Sequence, residues 1–192
     1  MNRRIVLSIA VGLVALASAA YGKTFGAWGT PVNAESVAGA SSDLNTPYND
    51  GCPIQSPDGL SLYIASNRPG GLGGQDIWVA HRDEPHGPYG APVNLGAPVN
   101  SAVDDFCPSP TGGRRLFFVS ARSGGCGGPD IYVTRLDLDG WRAPRNLGCT
   151  INSAAGEASP SLFRDDTATR SSISRAHVRE ASRREAPTPT ST

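Results

Sequence analysis

The sequence predicts an all-β chain built from tandem four-stranded units, and three observations carry that prediction. The chain matches itself at a spacing of about fifty residues. Short β-branched and aromatic runs recur between turn residues, and no long window of the body shows apolar residues at helical spacing. Ser66, Arg68 and Asp76 recur 54 positions on as Ser120, Arg122 and Asp130, and Cys52-Pro53 recurs 55 positions on as Cys107-Pro108. "YGAPVNLGAPVNS" from Tyr89 recurs 52 positions later as "WRAPRNLGCTINS" from Trp141, with a degenerate earlier copy, "WGTPVN", from Trp28. A period of this size signals a propeller or a solenoid, and four strands per period make the blade of a β-propeller. The expected fold is an incomplete β-propeller of about two and a half four-stranded antiparallel blades.

Taken in order, the first element is a leader. Arg3 and Arg4 precede the apolar run "IVLSIAVGLVALASA", which closes on Ala17, Ser18 and Ala19. That pattern reads as a cleaved secretory signal over residues 1–19, and the run falls short of the roughly 20 residues a membrane-spanning helix needs. A partial propeller follows over 20–163, with blades near 50–96 and 105–148 and a third beginning at 157. In each, a first strand leads into a tight turn, for which "SPDG" (Ser56 to Gly59) supplies proline at its second position and glycine at its close. "LSLYIAS" and its counterpart "LFFVS" have the content of second strands, "DIWVAHR" and "DIYVTRL" of third strands, and "PVNLG" and "PRNLG" of fourth strands.

The string S-P-D-G, then L-Y/F-x-x-S-x-R-x-G-G-x-G-G-x-D-I-Y/W-V, resembles the WD-repeat-like β-propeller repeat of TolB-type periplasmic and secreted proteins. It matches at Ser56 to Val79 and more loosely at Thr111 to Val133, where "TGG" replaces "SPDG". The resemblance implies a propeller and says little about activity, because propellers host many unrelated functions.

The loops "NRPGGLGGQD" and "ARSGGCGGPD" do not read as phosphate cradles. A phosphate loop aims a helix N-terminus at the anion, whereas a strand follows here, and neither loop carries the lysine and hydroxyl of a nucleotide P-loop. The glycines are expected to supply positive φ in a wide connection, and Asp76 and Asp130 to cap it through local backbone hydrogen bonds. Arg68 and Arg122 have two readings. As ligand-binding groups, together with Asp105 and Glu157 on the loop face, they suit a carboxylate or sugar acid held in bidentate fashion. As architecture, each pairs with an acid two residues ahead of the Cys52, Cys107 or Ser159 position, namely Asp50, Asp105 or Glu157. Regular recurrence favours the second reading. Trp28, Tyr89 and Trp141, one per unit, read as packing aromatics.

The four cysteines, Cys52, Cys107, Cys126 and Cys149, fit two disulfides in an oxidising compartment. Four cysteines allow three pairings; blade geometry favours Cys52 with Cys107 and Cys126 with Cys149. No pair has C-x-x-C spacing and the three histidines do not cluster, so neither a metal nor a cofactor is expected. Between Ala20 and Phe163 there are 13 acids and 9 bases, a net of 9 − 13 = −4. An acidic body argues against nucleic acid as a partner.

From Arg164 to Thr192 the chain has six arginines, four acids and almost no apolar residues, a composition of disorder. Back-translating Ala168 to Ala181 permits codons whose third-base frame encodes "HAILYFSSARPGG". Within it, "LYFSSARPGG" agrees with "LYIASNRPGG" (Leu62 to Gly71) at seven of ten positions. The tail therefore reads as out of frame, and the parent protein as continuing into further blades.

The expected function is an exported, non-enzymatic binding or scaffold module of the periplasm or exterior. Its expected partner is a protein or envelope glycan, with no nucleotide, no catalytic residue and no membrane span after signal cleavage. The alternatives are a propeller glycosidase or sialidase-like hydrolase, which needs a defined carboxylate pair or a specialised nucleophile, and a non-functional product of a disrupted gene.

Overall fold

The computed structural model describes residues 27, 29–112 and 114–162. The expected signal peptide at 1–19, Trp28 of the degenerate copy and the tail at 164–192 lie outside the described residues. Residues 27 and 29–31 hold neither helix nor strand. From Val32 onward the described chain is all-β, its one helical element being a single 3-10 turn at Ala34–Ser36.

Two antiparallel sheets form from consecutive strands. The first contains β1 (Asp50–Gln55), β2 (Ser61–Ser66), β3 (Asp76–His81) and β4 (Val93–Asn94), hydrogen-bonded in chain order. The second contains β5 (Asp105–Thr111), β6 (Arg115–Ser120) and β7 (Asp130–Asp137), with β8 (Gly140–Trp141) and β9 (Arg145–Asn146) both pairing to β7. The expected fourth strands at "PVNLG" and "PRNLG" are thus two residues long. The β7–β8 hairpin, which turns through Leu138 and Asp139, was not anticipated.

Local chemistry accounts for these elements. Between β1 and β2, Ser56 donates its hydroxyl to Asp58 at 2.5 Å, Asp58 accepts the Leu60 N–H, and Gly59 takes a φ of 78° to close the turn. Both first strands are bulged. The register slips between Gly51 and Ile54 and again between Phe106 and Ser109, where Cys52 and Cys107 adopt φ of 47° and 46° and the following prolines have no N–H to donate.

The core follows the two-residue alternation of β-strands. Leu116 and Phe118 on one face of β6 join Tyr132 of β7, Ile77 of β3 and Val99 of the linker, with Tyr63, Leu95 and Trp141 packed around them. That cluster lies between the two sheets. Phe117 and Val119 on the opposite face of β6 join Cys107 and Ile131, covered by Leu147 and Leu162. The outer face of the first sheet is closed by a smaller cluster of Leu44, Ala80 and Tyr89. Tyr89 and Trp141 therefore pack as expected of them.

The disulfides are Cys52–Cys107 and Cys126–Cys149. The first joins β1 to β5 across the two sheets, and the second ties the β6–β7 loop to the segment after β9. Two bridges suit a chain that matures in an oxidising environment. Among the described residues, no helix is long and apolar enough to cross a membrane.

Candidate functional site

Strand registers place the candidate residues. Asp50 lies opposite Ser66 and Ser66 opposite Asp76; Asp105, Ser120 and Asp130 align the same way in the second sheet. The loops beyond these positions therefore leave the sheets at one end, and the charged candidates sit just inside that end.

Arg68, two residues past β2, is 8% exposed and forms an ion pair of 2.9 Å with Asp50, which is 12% exposed. Its Nε donates to Ser66 Oγ at 2.9 Å and its Nη1 to the Asp43 carbonyl at 2.7 Å, while the guanidinium lies over the Trp78 ring. Burial pushes the Asp50 carboxyl up, but hydrogen bonds from Ser66, Thr46 and Arg68 outweigh it and hold the group below its ordinary value. Arg122 holds the counterpart position in the second sheet. It approaches Asp105 to 3.2 Å without hydrogen-bond alignment, donates to the Val99 carbonyl, and lies over Phe118 and Tyr132. Asp105 is fully buried. The structure thus brings together Arg122 with Asp105 and Arg68 with Asp50, and brings neither arginine to Glu157.

Each acid also holds the turn that precedes it. Asp50 Oδ2 accepts the N–H and hydroxyl of Thr46, Asp105 Oδ2 those of Ser101, and Glu157 Oε1 those of Ser153, all at 2.5–2.9 Å. The backbone N–H of Asp105 donates to the Gln75 carbonyl, and that of Glu157 to the Pro129 carbonyl, both at 2.8 Å. These acids therefore work as joints between a sheet and the segment that follows it. Among the described residues, no group of three or more metal-ligating side chains comes together.

Four asparagines that sequence reasoning passed over complete the joints. Asn100 accepts the Ile77 N–H and donates to the Ile77 carbonyl, both at 2.9 Å, and donates to Asn94 Oδ1. Asn152 does the same for Ile131 and Asn146. Each buried amide imitates the backbone of a neighbouring strand: it accepts the N–H that the two-residue β4 and β9 leave open, and it donates to a carbonyl that also accepts the Leu95 or Leu147 N–H. The signal was present in the pattern N-L-G-x-x-V/I-N-S, which has identical spacing at 94–101 and 146–153.

The glycine loops follow a different logic from the one expected. Only Gly70 and Gly124 take positive φ, at 93° and 84°. A side chain on Gly71 or Gly125 would collide with Asp76 or Asp130, and one on Gly73 or Gly127 with backbone of the 101–103 or 154 turns. Asp76 accepts the Leu72 N–H and Asp130 the Cys126 N–H, as expected, and each also accepts the amide of Asn94 or Asn146. The glycines thus let one loop press onto the next turn. No family model, curated protein or solved structure matches the chain.

Proposed function

We propose that this chain is part of an exported, non-enzymatic β-propeller of the TolB-like kind, acting as a binding or scaffold module that presents its loop end to a protein or cell-envelope component. One observation carries the reading: Arg68, Arg122 and Asp105 are engaged within the joints, while the loops outside them display apolar side chains to solvent. Tyr48, Leu72, Val103 and Ile151 are all exposed and belong to successive loops at the same end of the two sheets. Large apolar groups held on a stiff frame are what a docking surface needs. The correspondence of Asp50, Ser66, Arg68 and Asp76 with Asp105, Ser120, Arg122 and Asp130 supports two successive blades of one repeat.

The test is binding of the purified chain to immobilised envelope proteins and to a glycan array, compared with a Leu72→Ser/Val103→Ser variant. The variant is expected to lose binding while keeping its melting temperature, since neither side chain is in the core. Turnover of aryl glycosides by the chain would instead favour the hydrolase. Loss of any measured binding on Arg68→Ala, with melting unchanged, would return that arginine to a ligand-holding role.

A further inference from the structure

Three acids hold equivalent places, and among the described residues only two of them meet a cation. Asp50, Asp105 and Glu157 each accept the N–H and hydroxyl of the residue four positions earlier. Each is followed two residues later by a left-handed residue, Cys52, Cys107 or Ser159, at φ 47°, 46° and 51°. A proline comes next in all three: Pro53, Pro108 and Pro160. For Asp50 and Asp105 the second carboxylate oxygen faces an arginine, at 2.9 and 3.2 Å. Glu157 is 5% exposed, and its Oε2, like Oδ1 of Asp76, Asp105 and Asp130, has no hydrogen-bond partner among the described residues; unlike Asp105, Glu157 has no arginine within ion-pair distance there either. A buried carboxylate oxygen without a partner is costly, and a guanidinium is the group that the two matching sites supply.

The surroundings of Glu157 are also those of a first strand. Its N–H is tied to Pro129, and Leu162 packs on the cluster of Phe117, Val119 and Ile131. In both complete sheets the neighbouring strand runs antiparallel and sets a serine opposite the acid: Ser66 faces Asp50 and Ser120 faces Asp105. The arginine two residues beyond that serine then reaches the carboxylate.

We propose that Glu157 and the segment to Leu162 form a seat for an arginine-bearing β-strand of the kind seen at Ser61–Arg68, supplied by another unit. The strand adds antiparallel by backbone pairing, its serine opposite Glu157 and its guanidinium on Oε2. Backbone pairing provides attachment, and the single charge pair fixes the register.

The test uses the full chain and a fluorescent synthetic peptide of residues Ser61–Gly71, with binding followed by anisotropy. Saturable binding is expected, weakened more than about tenfold when the peptide carries Arg68→Ala and similarly when the chain carries Glu157→Gln. Because the peptide substitution leaves the folded chain untouched, it gives a clean answer even where Glu157→Gln perturbs stability. Equal binding of the Arg68→Ala peptide, or no saturable binding of the parent peptide, overturns the proposal. So does a chain that self-associates through Glu157 without being displaced by the peptide, since the seat then belongs to a second copy.

Discussion

The two sheets are built from similar strands, yet their first two strands are buried very differently, while the third strands are both buried. In the second, β6 is buried from Leu116 to Ser120 and most of β5 is buried as well; in the first, β1 is half-buried at its start and exposed from Pro53 to Gln55. The contrast comes from neighbours. The second sheet has the first sheet's Ile77 and Val99 against one face and Leu147 and Leu162 against the other, so "LFFV" and "DIYV" are apolar on both sides. The first sheet has one such neighbour, and Leu44, Ala80 and Tyr89 close its other face. Burial in this architecture belongs to the stack rather than to the single sheet.

The largest expected test of that contrast is removal of the two arginines. Arg122→Ala leaves the fully buried Asp105 side chain without its guanidinium partner, at a cost of about 3–5 kcal/mol. Arg68→Ala leaves Asp50 where water still reaches it, at a cost of about 1–3 kcal/mol. Chemical denaturation of the two variants measures the difference, and equal losses would mean that neighbours do not set the cost.

The disulfides rank next. The Cys52–Cys107 bridge closes a loop of 55 residues and the Cys126–Cys149 bridge one of 23. Constraint of the unfolded chain alone gives about 4 kcal/mol for the first and slightly more than 3 for the second. Paired Cys→Ser variants, melted under identical conditions, should therefore fall in that order, the bridge between sheets mattering more.

The smallest effect is in the acid limb of stability. The folded Asp50 carboxyl lies below its ordinary value, about 3.9, so its contribution is complete above that value and is lost as pH falls through the lowered one. Stability should decline as pH drops below about 5, and Asp50→Asn should flatten part of that decline. An unchanged slope in denaturation curves between pH 5 and 2 would remove Asp50 from the account.

Much of this frame was legible in the sequence because its parts obey local rules. The turn at Ser56–Gly59, the paired second and third strands and the spacing that joins Asp50 to Arg68 all follow from residue type and period. The glycine loops misled because glycine has two uses. Positive φ is a local property and was anticipated; close approach of Gly73 and Gly127 to a later turn depends on three-dimensional placement. The asparagines were hidden for a related reason. In a sequence, "NLG" and "NS" read as turn chemistry, and only the folded chain brings Asn100 to Ile77 and Asn152 to Ile131. The candidate ligand residues were easier to find than to interpret, since an arginine beside an acid looks alike in a joint and in a binding site.

The amide of Asn100 reads the peptide group of position 77 and ignores its side chain, so the two partners carry unequal burdens as the sequence drifts. Position 77 has only to fit the core, and valine or leucine could serve there. Position 100 is nearly irreplaceable: aspartate lacks the donor, serine is too short and glutamine too long. The same inequality governs ageing. Hydrolysis of this amide, or of its counterpart at Asn152, would set a carboxylate against a buried carbonyl, and the chain would lose its joint by a chemical change of one side-chain nitrogen.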